Sequence, residues 1–180
     1  TVSDCYEIDP KAEILIIGSL WFNWQSKEDE IEIKTKKYIE NINDLIKNKN
    51  FKEIKKIIIF GQIPALRNEN INIMSCLLKP NFLNLSQNCE EIYNYIDDEN
   101  KLLESYKKVN YNLEKYGNEI LKNNFEFLFI DPIKSLCKSD KCIQYEDKKI
   151  FYLNNNHLST AAVNYIYMKK KEIIENFLIN

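Results

Sequence analysis

The stretch KKIIIFG, residues 55–61, places a run of apolar residues between two lysines and a glycine. Two other stretches have the same form: EILIIG at residues 13–18 and FEFLFIDP at residues 125–132. Each run is short, rich in β-branched or aromatic residues and closed by a residue that breaks regular structure, which is typical of β-strands. Because the runs are continuous and do not alternate with polar residues, they predict strands covered on both faces in a parallel sheet.

The segments between and after these strands carry apolar residues at helical spacing. They predict helices over residues 30–47, 99–122 and 161–178. The hydroxyl of Ser159 or Thr160 is expected to cap the last helix by accepting a hydrogen bond from one of its unpaired N–H groups. Strands that alternate with helices predict an α/β fold, a three-layer sandwich with a parallel sheet as in flavodoxin-like proteins.

Composition limits the kind of protein. The chain has 180 residues, of which 44% are hydrophobic, and a net charge of -2, which is ordinary for a globular domain. Lysines and arginines are balanced by acidic residues, so no binding of nucleic acid is expected. No apolar run is long enough to span a membrane, and no signal peptide is visible.

The chain starts without Met, and we expect a single domain over residues 1–180 that is a fragment of a larger membrane protein. Residues 64–91 are irregular and are predicted to loop over one edge of the sheet.

The cysteines are five in number, so at least one is unpaired within the chain. Cys137 and Cys142 flank a polar turn in CKSDKC, and a disulfide across such a loop is feasible. That disulfide would place the domain in an oxidising compartment, whereas the alternative is a pair of free cytosolic thiols. The pairing of Cys5, Cys76 and Cys89 stays open. A single histidine does not complete a zinc site, so no metal is expected.

The carboxyl ends of the strands form the edge at which sheets of this type bind ligands. These ends are residues 18–21, 61–64 and 131–132, and His157, the only histidine, is expected at the same edge because it lies just before the last helix. Such a histidine is a candidate general base, which needs a partner on its second ring nitrogen. Asn154, three residues earlier, can form a hydrogen bond but carries no charge. The alternative is that His157 only caps or packs at the helix entry.

A longer segment around His157 resembles a known family. LCKSDKCIQYEDKKIFYLNNNHLSTAAV, residues 136–163, looks like the closing part of SGNH domains, the serine hydrolase-like domains attached to membrane acyltransferases of family 3. In that family a Cys-bounded loop precedes a Tyr, an Asp-x-x-His and then Leu-Ser at a helix start. AEILIIGSLWFNW, residues 12–24, and KKIIIFGQIPALRNENINIMSCLLKP, residues 55–80, are similar to two of its strand segments. The resemblance covers residues 12–163.

The resemblance implies roles for particular residues. His157 matches the catalytic histidine, Asn154 stands where the family has its Asp, and Cys137 and Cys142 match the disulfide loop. The family's nucleophile lies in Gly-Asp-Ser after its first strand, and this chain contains no Gly-Asp-Ser. The nucleophile strand is therefore expected upstream of this chain or lost, which leaves the sheet without its first strand. Ser19, which follows a predicted strand and a glycine, is the alternative as a degenerate nucleophile.

The absent acid has a calculable cost. Replacing a triad Asp by Asn typically slows catalysis by about four powers of ten, roughly 5 kcal/mol, because the histidine is held in the wrong tautomer. Acids elsewhere in the chain are candidate substitutes: Asp131, Asp140, Glu146 and Asp147.

Two residues at the strand ends are candidate substrate contacts. The ring of Trp21 suits the face of a sugar, although core packing is the alternative for an aromatic residue at a strand end. Gln62 is placed to hydrogen-bond a substrate or, alternatively, to satisfy the backbone of a turn.

The function that the resemblance implies is O-acyl transfer, usually of acetyl, to a surface polysaccharide such as lipopolysaccharide or to a cell-wall glycan. The domain would work in the periplasm or on the extracytoplasmic face of the inner membrane. Its partners would be a membrane acyltransferase domain of the same or a partner protein, which supplies the acyl group, and the glycan acceptor. No cofactor is implied. Two alternatives stay open: a degenerate glycan-binding or scaffold domain that lost Ser and Asp, and an SGNH esterase that acts on acetylated glycans.

Overall fold

The structure is a computed structural model that describes residues 11–18, 28–48, 51, 53–64, 100–138, 141–147, 149–154 and 157–179. Internal packing divides the chain into two units. The first comprises Thr1–Gln62 and Lys108–Ile130, and the second comprises Ile63–Lys107 and Asp131–Asn180. The expectation of one domain over the whole chain stays a prediction. Of the predicted loop over residues 64–91, only Pro64 is among the described residues.

A parallel sheet forms the first unit. Its strands are β1 (Ile14–Gly18), β2 (Lys56–Phe60) and β3 (Glu126–Ile130), in the order β1-β2-β3. Both pairings are parallel and without register shifts, so that Ile16, Ile58 and Leu128 lie side by side. The three apolar runs of the sequence are therefore the three strands of this sheet, and the predicted α/β class with a parallel sheet is confirmed.

Burial differs between the central and the flanking strands. In β2, Ile57 and Ile59 are fully buried and Ile58 is 3% exposed, so both faces of this strand are covered as predicted. In β1, however, Ile16 is 65% exposed. The prediction that all three strands are covered on both faces is therefore wrong for β1. The run of apolar residues is equally continuous in β1 and β2, but only in β2 are successive side chains on both faces buried.

Helix α1 (Glu28–Asn48) connects β1 to β2. Its buried side chains recur at helical spacing and include Ile31, Ile39, Ile42 and Ile46. Helix α2 (Asn100–Tyr116) precedes β3 and buries Leu103, Tyr106, Val109 and Leu113 in the same manner. The two helices that were predicted over residues 30–47 and 99–122 are thus present.

The α-helical part of α2 ends at Tyr116, earlier than the predicted end at residue 122. Residues Gly117–Leu121 continue it as one π-helical turn. The ring of Phe127 in β3 lies directly against Gly117, where a Cβ would overlap it. A glycine therefore allows the strand to pack against the turn. At the end of α2 the Tyr116 hydroxyl donates to Glu32 Oε1 of α1 at 2.5 Å, and this hydrogen bond lowers the pKa of Glu32 and raises that of Tyr116.

After β3, the second unit contains a short helix, α3 (Pro132–Leu136), and ends with a long one, α4 (Thr160–Ile179). Between them lie six short strands: β4 (Cys137–Lys138), β5 (Lys141–Cys142), β6 (Tyr145–Glu146), β7 (Lys149–Ile150), β8 (Tyr152–Asn154) and β9 (His157–Leu158). They pair as three antiparallel hairpins, β4–β5, β6–β7 and β8–β9. The sequence did not predict these hairpins, because strands of two or three residues show no measurable alternation.

Helix α4 confirms the last predicted helix and its cap. The Ser159 hydroxyl accepts a hydrogen bond from the Ala162 N–H at 3.3 Å, which is an N-cap interaction. Ala162 and Ile166 on the first two turns are fully buried. Among the helices of the described segments, none combines the length and the apolar character that crossing a bilayer requires.

Candidate functional site

The carboxyl end of β2 is held by a side chain from α2. The Gly61 N–H donates to the Ile130 carbonyl at 2.9 Å and extends the pairing with β3 by one residue. At the next residue the side chain of Asn110, and not a strand, bonds the backbone. Its Oδ1 accepts from the Gln62 N–H at 2.6 Å and its Nδ2 donates to the Gln62 carbonyl at 3.0 Å. We call this arrangement the Asn110 clamp. Asn110 is 1% exposed, so the clamp satisfies two buried backbone groups where strand pairing ends.

The clamp requires a glycine at position 61. A Cβ on Gly61 would lie 2.6 Å from Asn110 Oδ1 and 2.7 Å from Phe129 Cζ, closer than side-chain carbon atoms are found. The sequence identified Gly61 only as a residue that ends a strand. A signal for the clamp was nevertheless present, since Asn110 is a polar residue between Tyr106 and Leu113 on the apolar face of α2.

Gln62, predicted to contact substrate, is fully buried. Its backbone is held by the Asn110 side chain, and the alternative, that Gln62 itself satisfies the backbone of a turn, stays a prediction. A role for its side chain in substrate binding stays a prediction. Ser19 and Trp21, the other candidates from the strand ends of the first unit, lie outside the described residues, and their roles stay predictions too.

A disulfide joins Cys137 to Cys142, which are opposite each other in the β4–β5 hairpin. The predicted pairing is confirmed. Directly beyond the disulfide, the Ile143 N–H donates to the Leu136 carbonyl at 2.8 Å. The covalent bond and this hydrogen bond fix the β4–β5 hairpin to the end of α3.

Backbone hydrogen bonds extend two of the three hairpins at their open ends. The Phe151 N–H donates to the Gln144 carbonyl, which closes the β6–β7 hairpin, and the Ser159 N–H donates to the Phe151 carbonyl, which closes the β8–β9 hairpin; both distances are 2.8 Å. The ring of Phe151 also packs against Tyr165 of α4, with ring centroids 5.1 Å apart. We call this set of contacts, from the disulfide to Ser159, the hairpin ladder.

His157 lies on the last hairpin of the ladder, and its side chain is exposed. Its Cα is paired with that of Asn154 across β8–β9, and Tyr152 is paired with Leu158. A spacing of three residues makes two positions opposite in a hairpin with a two-residue connection. The structure therefore brings together the two residues that the sequence proposed as the base and the replaced acid. Their catalytic roles stay predictions.

Tyr152 anchors this hairpin from the buried side. It is 5% exposed, and its hydroxyl has no hydrogen-bond partner among the residues that the structure describes. Burial, with a smaller contribution from the nearby Tyr106, raises the pKa of Tyr152 far above its ordinary range. The phenol is therefore neutral at any physiological pH, and its ring contributes apolar packing to the buried side of the hairpin.

The acids considered as substitutes for the triad Asp lie in different surroundings. Asp131 caps α3, because its Oδ1 accepts hydrogen bonds from the Ile133 N–H at 2.9 Å and the Lys134 N–H at 3.5 Å. Glu146 and Asp147 are exposed at the turn of the β6–β7 hairpin, where Asp147 has a φ of 50°. Asp140 lies outside the described residues. A carboxylate role for any of them in catalysis stays a prediction.

Metal ligands do not cluster in the described part of the chain. Within residues 11–18, 28–48, 51, 53–64, 100–138, 141–147, 149–154 and 157–179, no three His, Cys, Asp or Glu side chains are close enough to hold an ion.

A parallel α/β sheet, a disulfide-bonded hairpin and a histidine directly before the last helix define an SGNH-like domain. The sequence agrees with this class, because the family model for the SGNH domain (fused to AT3 domains) matches residues 2–168. The chain therefore belongs to the SGNH domains that are fused to AT3 domains.

One solved structure supports the fold. The chain is similar to the periplasmic domain of the lipopolysaccharide acetyltransferase of Salmonella ser. Paratyphi A, with a TM-score of 0.57 and 14% sequence identity. The match covers 90% of this chain and 56% of that chain, so this chain spans little more than half of its structural relative. At this identity the likeness concerns the fold. No curated protein sequence matches the chain significantly.

The clamp generates a prediction for position 61. The variant Gly61→Ala is expected to lower the free energy of unfolding by about 1–3 kcal/mol, because its methyl group displaces Asn110 or the Phe129 ring from a packed core. Urea denaturation followed by circular dichroism measures the loss. Gly18→Ala is the matched control, since a Cβ there meets Phe60 Cβ at an ordinary 3.7 Å. Equal losses in the two variants would contradict the clamp.

The disulfide generates a second prediction. It closes a loop of six residues (137–142), for which chain entropy gives about 2 kcal/mol of stabilisation. In a background where Cys5, Cys76 and Cys89 are serine, the further double change Cys137→Ser and Cys142→Ser is expected to remove this amount in urea denaturation.

The control for this experiment is a reducing agent. Reductant is expected to destabilise the background variant and to leave the variant without Cys137 and Cys142 unchanged. A background variant that does not respond to reductant would show that the disulfide contributes nothing to stability.

Proposed function

We propose that this domain takes part in O-acyl transfer, of acetyl groups, to a hydroxyl of a surface polysaccharide or cell-wall glycan on the extracytoplasmic side of the membrane. Membership in the SGNH domains fused to AT3 domains supports the proposal. The observation that carries it is the position of the only histidine. His157 is exposed on a hairpin opposite Asn154, the residue that stands where the family has its acid.

The proposed chemistry has two steps. In the first, a serine Oγ attacks the carbonyl carbon of the acyl donor supplied by the membrane acyltransferase domain, while His157 takes the serine proton and gives it to the leaving group. In the second, a glycan hydroxyl attacks the serine ester, and His157 takes the proton of the hydroxyl and returns it to the serine. Backbone N–H groups hold the oxyanion in both steps. The serine is supplied by a strand upstream of this chain or, in the alternative, is Ser19.

Asn154 sets the limit on this chemistry. An amide cannot stabilise the imidazolium that forms in either step, and the loss relative to a carboxylate is about four powers of ten in rate. Full activity therefore needs a carboxylate from another position. Glu146 and Asp147 are exposed within the same unit as His157 and are the candidates that the proposal retains.

The same asparagine favours a second candidate function. A domain that has lost both the serine and the acid would keep the fold and bind glycan without transferring an acyl group. An esterase that hydrolyses acetylated glycans remains the third candidate, since water and a sugar hydroxyl are interchangeable as acceptors in the second step.

The histidine variant tests the proposal. In the protein at its natural full length, His157→Ala is expected to lower acetylation of the surface glycan by at least about 100-fold, because general base catalysis contributes 10²–10⁴ in rate. Mass spectrometry of the isolated glycan measures the acetyl content. Asn164→Ala, which changes an exposed polar residue of α4, is the control and is expected to have no effect.

Each alternative has its own result. Unchanged acetylation in His157→Ala would refute the catalytic proposal. Glycan binding by a wild-type protein that transfers nothing would establish the binding domain, and release of acetate from acetylated glycan without transfer would establish the esterase.

The replaced acid gives a further prediction. Asn154→Asp is expected to raise the rate of acyl transfer, by up to about 10⁴-fold if no other carboxylate serves His157, because the histidine then takes the productive tautomer. Nitrogen-15 NMR of the single imidazole reports directly which ring nitrogen carries the proton. Asn155→Asp adds the same charge one residue away and is the control. Equal effects of the two variants would show that charge, and not the position of the acid, is responsible.

A further inference from the structure

Ser159 uses every hydrogen-bonding group that it has. Its hydroxyl donates to the Ile150 carbonyl at 2.5 Å and accepts from the Ala162 N–H at 3.3 Å. Its N–H donates to the Phe151 carbonyl at 2.8 Å, and its carbonyl accepts from the Val163 N–H at 3.0 Å. The residue is 8% exposed. It therefore connects the end of β7, the following Phe151 and the first turn of α4.

Capping alone does not account for this arrangement. An N-cap side chain needs only to accept a hydrogen bond from the helix, whereas this hydroxyl also donates one. The acceptor of that second bond is Ile150, which lies in the β6–β7 hairpin and not in the helix. The donated hydrogen bond therefore ties the start of α4 to the preceding hairpin.

This tie lies close to the imidazole. Only Leu158 separates Ser159 from His157, and two residues of extended chain span about 7 Å. Asn154 and His157 are opposite each other in a hairpin whose return strand has two residues. A hairpin of this length is not stable alone, so its position depends on the contacts at its ends.

We propose that Ser159 is a positioning residue for His157: its bond to Ile150 fixes the strand that carries the imidazole. The inference rests on the proposed function in so far as it assigns a catalytic consequence. A loss of position of about 1 Å at a general base costs on the order of 10²-fold in rate, without a change in how substrate binds.

The test compares variants at position 159. Ser159→Ala removes both hydrogen bonds of the hydroxyl. Ser159→Gly also removes both, but glycine is nearly as good an N-cap as serine, so α4 keeps its stability. Ser159→Thr retains the hydroxyl. In the full-length protein, the alanine and glycine variants are expected to lose about 100-fold in kcat with a KM for glycan within twofold of wild type, and the threonine variant is expected to recover most of the kcat.

A variant matched for stability separates positioning from folding. Ile39 is fully buried in α1 of the first unit, and Ile39→Val is expected to lower the melting temperature by an amount similar to Ser159→Ala while leaving kcat unchanged. If Ser159→Gly keeps the wild-type kcat, or if Ile39→Val loses as much kcat as Ser159→Ala, the positioning role is refuted.

A readout without activity keeps this inference distinct from the proposed function. Because the 180-residue chain has one histidine, its ring C–H signals in NMR are assigned without ambiguity. Ser159→Ala and Ser159→Gly are expected to shift these signals, and Ser159→Thr and Ile39→Val are expected to leave them in place. Shifted signals in a protein that transfers no acyl group would support the positioning and refute the function. Unshifted signals in both the alanine and the glycine variants would refute the positioning.

Discussion

The pairing of β2 on both sides is the constraint from which the first unit follows. Ile57 and Ile59 are fully buried, so the backbone between them has no water to bond and must pair with β1 and β3. Parallel neighbours cannot be joined by tight turns, which is why long helical segments separate the three strands in sequence. Where the pairing ends, the backbone of Gln62 is still buried, and the Asn110 clamp replaces the missing strand. The clamp in turn leaves space for nothing larger than hydrogen at Gly61.

The sequence predicted the elements that are long enough to show a pattern, either a continuous run of apolar residues or apolar residues at helical spacing. Three apolar runs gave the strands, and helical spacing gave α1, α2 and α4 within a few residues. The exposure of Ile16 could not be predicted, because a continuous apolar run reads the same whether one face or both faces are covered. The hairpins between α3 and α4 were missed because two-residue strands carry no pattern. Asn110 could have been found, since an amide on an apolar helix face needs a buried partner.

In the candidate site, a residue pair that is close in sequence was easier to predict than the burial of a strand end, which depends on distant residues. Cys137 and Cys142 are close in sequence, and the predicted disulfide between them is present. Asn154 and His157 are also close in sequence and lie opposite each other, but in a hairpin that the sequence did not predict. Gln62 was selected for its position at a strand end, but strand ends in this fold differ in burial, and that of β2 is closed by α2. Sequence spacing carries information about a hairpin because the turn sets the register, whereas the burial of a strand end depends on residues 48 positions away.

His157 lies on a two-residue strand that is not stable by itself, and contacts within the second unit attach that strand to its neighbours. The disulfide and the Ile143–Leu136 hydrogen bond attach the first hairpin to α3. Phe151 lies between the β6–β7 and β8–β9 hairpins and is hydrogen-bonded to Gln144 and Ser159, and the Ser159 hydroxyl donates to Ile150 of β7. From α4, Lys169 Nζ donates to the Ser135 carbonyl of α3 at 3.0 Å. The hairpin ladder is thus held at both ends by helices that are themselves joined, so each weak link is restrained by all the others. These contacts restrain the short strand that carries the exposed imidazole.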